Sequence, residues 1–277
     1  MKVKQFCDSI LIENPKVFSL PLCLDCGQAF RWEQNNGIWH GVVKNKVLNA
    51  KEVDGGVLFY TTLEDYNSIW HDYFDLARDY EKTLVDFKED EKLKQAINEF
   101  CGIRILNQDP WEALCSFIIS QNNNIPRIKG IIKRLCETFG EPLGEEDFAF
   151  PSPQTIAKLS LDDLAPLRAG FRNKYILDAA QKVATGEVDI YGLKNMSIET
   201  ARSELIKIKG VGEKVAECTL LYGCGHINAF PKDVWVKRIM QEMYQDGLPK
   251  CTDGVKGIAQ QYLFHWRRNS KLFENEK

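Results

Sequence analysis

The stretch KGVGEKVAEC, residues 209–218, sets two glycines either side of a valine and follows them, two residues on, with a lysine. Glycines in a tight turn accept positive φ and let backbone N–H groups come close to another backbone. The helix that follows directs its positive dipole end at the same point. A phosphate oxygen suits such a turn, although on its own a GxG between helices more often marks ordinary punctuation. Lys214 stands on the first turn of an apolar-faced helix, where it is either a solvated surface charge or a primary amine held to react. A nucleophilic amine must be neutral, and a helix N-terminus and partial burial both disfavour the ammonium.

Two helices must carry that turn. Leu205 and Ile208 before it, and Val215, Ala216 and Leu220 after it, lie at helical spacing. The same spacing runs from about residue 64 almost to the end. PWEALCSFIIS (110–120), PRIKGIIKRLCETFG (126–140) and RNKYILDAAQKVATG (172–186) place Pro near a start or Gly at a stop, and SPQTIAKLS and SIETARSELIKI begin at Ser caps. Residues 29–61 alternate instead, with Asn36-Gly37 and Asp54-Gly55-Gly56 as hairpin connectors between aromatic and β-branched runs. The expected fold class is α+β: a small antiparallel sheet domain over residues 1–105, then a mostly α-helical domain over 106–277, without internal repeat or low-complexity linker.

Composition narrows the classes further. With 277 residues, 44% hydrophobic and 27% charged, the chain is expected to be a soluble intracellular protein. No secretory leader pattern follows Met1, and no apolar run approaches the roughly 18 residues that span a bilayer. Nine scattered cysteines argue for reduced thiols. Cys23-x2-Cys26 lacks a second pair of ligands for zinc, and the C-terminal region lacks the four-cysteine cluster of an iron–sulfur centre. No metal or other cofactor is called for, and no dinucleotide or P-loop fingerprint is present. The formal net charge is −3, but residues 1–100 carry 12 Lys+Arg against 17 Asp+Glu and residues 101–277 carry 24 against 22. A polyanion contact is therefore expected to be local and in the second part.

The segment ELIKIKGVGEKVAECTLLYG resembles the helix-hairpin-helix of the DNA glycosylases, with Lys214 where the glycosylase/lyases of that superfamily place their nucleophile. Asp233, nineteen residues later in NAFPKDVWVKRIM, stands where the family's catalytic aspartate caps the next helix. CGQAFRW (26–32), SFIISQNNNIPRI (116–128), AGFRNKY (169–175), GVGEKVAEC and IAQQYLF (258–264) resemble, in order, the motifs of the 8-oxoguanine DNA glycosylase/AP lyases and span nearly the whole chain.

That resemblance implies a bifunctional repair enzyme, acting as a monomer on double-stranded DNA with 8-oxoguanine, preferably opposite cytosine, in the cytoplasm of a bacterium or in a nucleus. Lys214 would attack C1′ of a flipped nucleotide, with Asp233 stabilising the cationic sugar. The carbonyl of Gly27 would accept from N7–H, the hydrogen that distinguishes 8-oxoguanine from guanine. Cys218 and Phe264 would sandwich the base, and Gln260 would read its Watson–Crick edge. Asn122 and Asn123 would fill the gap, Arg127 and Arg172 would read the estranged cytosine, and Phe171 would wedge beside it. Gly210, Val211, Gly212 and Trp235 would hold the DNA backbone.

Two positions depart from the family pattern. Phe171 replaces a frequent tyrosine and keeps the stacking face without the hydroxyl, whereas Trp235 replaces a frequent histidine, donates one hydrogen bond and carries no charge. The alternatives are a glycosylase of the same superfamily with another damaged-base preference, and a non-catalytic helix-hairpin-helix DNA-binding protein. The first in its monofunctional form would not carry Lys214, and the second would not need Asp233.

Overall fold

The structure, a computed structural model, describes residues 2–276. Six strands form one antiparallel sheet: β1 (Lys2–Gln5), β2 (Ile10–Glu13), β3 (Trp32–Asn35), β4 (Ile38–Val43), β5 (Lys46–Val53) and β6 (Gly56–Tyr60), in the order β1-β2-β6-β5-β4-β3. Asn36 and Gly37 both take positive φ, the requirement of the tightest hairpin turn, and Asn35 pairs with Ile38 across it. Lys44 and Asn45 make an equivalent turn without glycine. The sheet begins well before residue 29. β1 and β2 have four residues each, and β1 is exposed throughout, so neither carries a periodic signal to read from sequence.

The helices are α1 (Leu20–Leu24), α2 (Leu63–Asp65), α3 (His71–Tyr73), α4 (Tyr80–Phe87), α5 (Glu91–Glu99), α6 (Pro110–Ser120), α7 (Ile125–Phe139), α8 (Pro153–Ala157), α9 (Asn173–Ala184), α10 (Ile198–Ile206), α11 (Glu213–Gly223), α12 (Val234–Met243) and α13 (Lys256–Asn269). Side-chain caps open many of them. Asp109 accepts from Trp111 and Glu112 at α6, Asn124 from Arg127 at α7, Ser152 from Thr155 at α8 and Ser197 from Thr200 at α10. Each such cap stabilises its helix by about 0.5–2 kcal/mol.

Contacts divide the chain into two compact units that interleave in sequence. The first takes the chain up to Gln28, Lys51–Asn107 and the chain from His226 onward; the second takes Ala29–Ala50 and Gln108–Gly225. β5 runs through the division, whereas the two-domain reading divides the chain once, near residue 105. In the first unit Phe18, Phe59 and Phe74 meet with centroids 5.1–6.3 Å apart, and each buried ring contributes about 1.5–3 kcal/mol. In the second unit α6 and α11 pack closely. The Gln108 amide donates to the Tyr222 carbonyl at 2.8 Å, which sets the start of α6 beside the end of α11. Running the helices antiparallel brings the last residue of α6 to the first turn of α11.

Candidate active site

The hairpin between α10 and α11 occupies residues 207–212. Val211 N donates to the Ile208 carbonyl, Gly210 has φ +79°, and Gly212, extended, caps α11 with no side chain across the first amides. These amides lie at the positive end of an eleven-residue helix. Helix α9 supports the turn. Asp178 accepts from the Lys209 amide at 2.7 Å, and the Tyr175 ring fills the space a Cβ at Gly210 would need. Tyr175 and Asp178 are three apart on one helix, a spacing that puts them on the same face.

Lys214 is the second residue of α11 and is half-buried. Its Nζ lies 3.3 Å from Ser120 Oγ and 5.3 Å from the centre of the Phe117 ring, both on the last turn of α6. Phe117 is itself fixed by stacking on Tyr222, centroids 5.3 Å apart, and by the edge of Phe30. Cys218 follows Lys214 by four residues, hence on the same helical face, and is buried.

A second group gathers around the turn between α6 and α7. Asn122 is exposed with φ +45°, Asn123 donates to the Ile119 carbonyl, and Asn124 is the residue that caps α7. The three asparagines thus divide the work, and capping leaves Asn122 facing solvent. Arg127 is exposed, whereas Arg172 is only 2% exposed. The Arg172 guanidinium donates to the carbonyls of Gln121, Asn122 and Ala169, so it braces the asparagine turn. Burial first, and the nearby charge of Arg127 second, hold it below the usual guanidinium range. Phe171 is 47% exposed, lies under the Arg172 guanidinium at 4.5 Å and meets Tyr175 edge-on.

The remaining residues belong to the first unit. Gly27 has φ +83°, and a Cβ there would meet Phe264 and Arg268 only at ordinary contact, 3.9 and 3.8 Å. Within the protein it is the backbone conformation, rather than crowding, that calls for glycine. Its neighbours are clamped. Buried Gln28 donates to the carbonyls of Cys23 and Arg104 and accepts from the Leu106 amide, while Gln261 donates to the Cys26 carbonyl at 3.1 Å. Gln260 is 4% exposed, and its Oε1 is buried with no hydrogen-bond partner among the described residues. Such an acceptor costs about 1–3 kcal/mol until a donor arrives. Asp233 caps α12, its Oδ1 accepting from the Val236 amide at 2.8 Å, and half-buried Trp235 stacks with Arg238.

Among the described residues no cluster of three or more His, Cys, Asp or Glu side chains is placed to hold a metal. Cys23 and Cys26 are both buried, and burial pushes the Cys23 thiol up to about 12. Sequence reasoning passed over Ser120, Gln28, Gln261, Tyr175 and Asp178. Gln28, Ser120, Tyr175 and Gln261 all stand inside the family-like motifs and Asp178 outside them, but nothing in the sequence marks their roles, which depend on which helices and strands meet.

Residues 10–114 match the family description "8-oxoguanine DNA glycosylase, N-terminal domain", and residues 115–251 match "HhH-GPD superfamily base excision DNA repair protein". A solved structure of MBOgg1 with a low-affinity DNA ligand is 38% identical, covering 96% of this chain and 98% of that one at a TM-score of 0.90. The 8-oxoguanine glycosylase/lyase of Clostridium acetobutylicum, in complex with double-stranded DNA containing cytosine opposite 8-oxoG, is 34% identical over 100% of this chain and 99% of its own, TM-score 0.90. A probable N-glycosylase/DNA lyase of Methanothermobacter thermautotrophicus is 32% identical over 194 residues, 62% of each chain, so the match spans less than two thirds of that relative. The class is thus the helix-hairpin-helix base excision repair superfamily, and within it the chain belongs to the 8-oxoguanine DNA glycosylase/lyase family.

Proposed function

We propose that this protein flips 8-oxoguanine out of duplex DNA, excises it and nicks the resulting strand. The observation that carries the reading is the Lys214 amine at the head of α11, directly after a glycine hairpin and among helix-start amides that no side chain caps. The amine nitrogen forms a bond to C1′ as the bond from C1′ to the base breaks, and the departing base takes up a proton. Opening of the sugar gives a Schiff base; loss of a C2′ proton then expels the 3′ phosphate. The carboxylate of Asp233 stabilises the positive charge that develops on the sugar.

Base choice falls to Gly27, whose carbonyl accepts from the N7–H that guanine lacks, and to Gln260, whose unpartnered Oε1 accepts from a base N–H. Cys218 and Phe264 cover the two faces of the base. Asn122 and Asn123 fill the space it leaves, Arg127 satisfies the estranged cytosine beside a turn that Arg172 braces, and Phe171 stacks beside it. Gly210, Val211, Gly212 and Trp235 take the backbone phosphates. The working form is a monomer, located where DNA is; among the described residues no helix is long and apolar enough to cross a membrane.

Borohydride added during incubation with duplex bearing 8-oxoguanine opposite cytosine is expected to trap a covalent protein–DNA adduct. Lys214→Gln is expected to abolish the adduct while leaving lesion binding largely intact. Trapping by the variant would assign the nucleophile to another amine, and binding without any trapping by the unmodified protein would favour a non-catalytic role.

A further inference from the structure

We infer that Ser120 is a positioning residue for the Lys214 amine, and this rests on the nucleophilic role of Lys214 proposed above. Ser120 ends α6, and its Oγ has two hydrogen-bond partners among the described residues: it donates to the Phe117 carbonyl, one turn back, at 2.8 Å, and lies 3.3 Å from Lys214 Nζ. A hydroxyl has a single hydrogen to give. With that hydrogen directed to Phe117, Ser120 meets the amine with lone pairs only and accepts one of its N–H bonds.

The polarity matters for nucleophilic attack. A hydroxyl that donated to the neutral amine would occupy the electron pair needed for C1′. A hydroxyl that accepts an N–H turns that pair away from α6, and the Phe117 ring closes another side of the nitrogen. The arrangement is built into the fold, since the Gln108 to Tyr222 hydrogen bond sets the helix register that brings Ser120 to the first turn of α11. Ser120 itself touches no reacting atom; it restricts the rotamers of a long, flexible side chain and orients its lone pair.

The test is single-turnover borohydride trapping on duplex carrying a preformed abasic site opposite cytosine, which reports amine attack without base recognition. Ser120→Ala is expected to lower the trapping rate at saturating duplex by about three- to tenfold, the worth of one oriented hydrogen bond. The half-saturating duplex concentration and the affinity for an uncleavable tetrahydrofuran duplex should stay unchanged, and Ser120→Thr, which keeps the hydroxyl, should return the rate to within about twofold of the original. An unchanged rate in Ser120→Ala, an equal loss in analogue affinity, or failure of threonine to restore the rate would overturn the inference. If Ser120→Ala lacks a cooperative thermal transition, Ser120→Cys, of similar size and weak accepting power, serves in its place with the same expectations. Trapping that persists in Lys214→Gln strikes at the proposed nucleophile and takes this inference with it, whereas normal trapping by the unmodified protein with no effect at Ser120 removes this inference alone.

Discussion

The Tyr175 ring lies so close to the backbone of Gly210 that a Cβ at position 210 would collide with it, and the same ring meets the edge of Phe171 with centroids 5.8 Å apart. One aromatic side chain on α9 therefore supports both the hairpin before Lys214 and the wedge residue. The proposed grip on the backbone phosphates and the proposed wedge share a single rigid prop.

Gly210→Ala is expected to destabilise the fold by about 1–3 kcal/mol from its positive φ alone, with further loss from overlap with Tyr175. Combining it with Tyr175→Ala removes the overlap but not the backbone strain. Denaturant titration of the two single variants and the double variant should give a total cost smaller than the sum. Additive costs would mean that the ring is not the obstacle.

Asp233→Asn keeps an oxygen that can accept from the Val236 amide, so the α12 cap and the fold should survive. Excision should fall by about a hundredfold or more, because a neutral amide cannot stabilise the cationic sugar. Single-turnover rates beside a thermal melt separate the two effects, and unchanged turnover would leave Asp233 as a cap.

Arg127 and Arg172 should behave differently although both stand at estranged-base positions. Exposed Arg127 is free to read cytosine, and Arg127→Ala is expected to narrow the preference for cytosine over adenine by about tenfold. Arg172 spends its donors on three backbone carbonyls, so Arg172→Ala should first lower thermal stability and weaken duplex binding whatever base lies opposite. Phe171→Tyr should alter the preference little, since a stacking face is nearly blind to base identity. Excision measured on the two duplexes for each variant decides the matter; a cytosine preference lost only with Arg172 would reverse the assignment.

Two histidines should give stability opposite pH dependences. His265 is lowered to about 4 by burial first and by the charge of Arg268 second, with Asp25 opposing. A depressed imidazole favours the neutral form in the fold, so its contribution is complete above its ordinary value of 6.5 and is lost as pH falls toward about 4. His40 moves the other way. Burial opposes its protonation, but hydrogen bonds to Asp147 and Asn49 and the charges of Asp147 and Glu33 outweigh it and raise it above 6.5. Its contribution is complete below 6.5 and fades as pH rises through the higher folded value. Melting temperature against pH should lose its acid decline in His265→Leu and a smaller alkaline decline in His40→Leu.

The proposed chemistry uses no metal ligand, so EDTA should leave single-turnover excision intact; activity lost to EDTA and restored by zinc would overturn it. Duplex affinity should fall steeply with salt in spite of the net charge of −3, because each phosphate contact releases counterions. A flat salt dependence would argue against DNA as the substrate.

By itself the sequence determined the local architecture. Asn36-Gly37 dictates a hairpin, Ser152 and Ser197 open helices, and GVG followed by Lys214 makes a turn with an amine at the head of a helix, because each depends on conformational preferences and hydrogen bonds within a few residues. Ordered motifs along the whole chain were enough to indicate the family. The weak edge of the sheet was not legible: β1 and β2 are short, and the strand that joins them to the rest of the sheet, β6, lies dozens of residues beyond β2. Only the tertiary structure decided what surrounds the functional side chains. Ser120 is 94 residues from Lys214, Arg172 is 51 from Gln121, and Gln28 is 76 from Arg104, separations at which no spacing rule operates. Contacts of that kind arise when helices and strands bury their apolar faces against one another. Their geometry belongs to the packed core, and a pattern of residue types does not contain it.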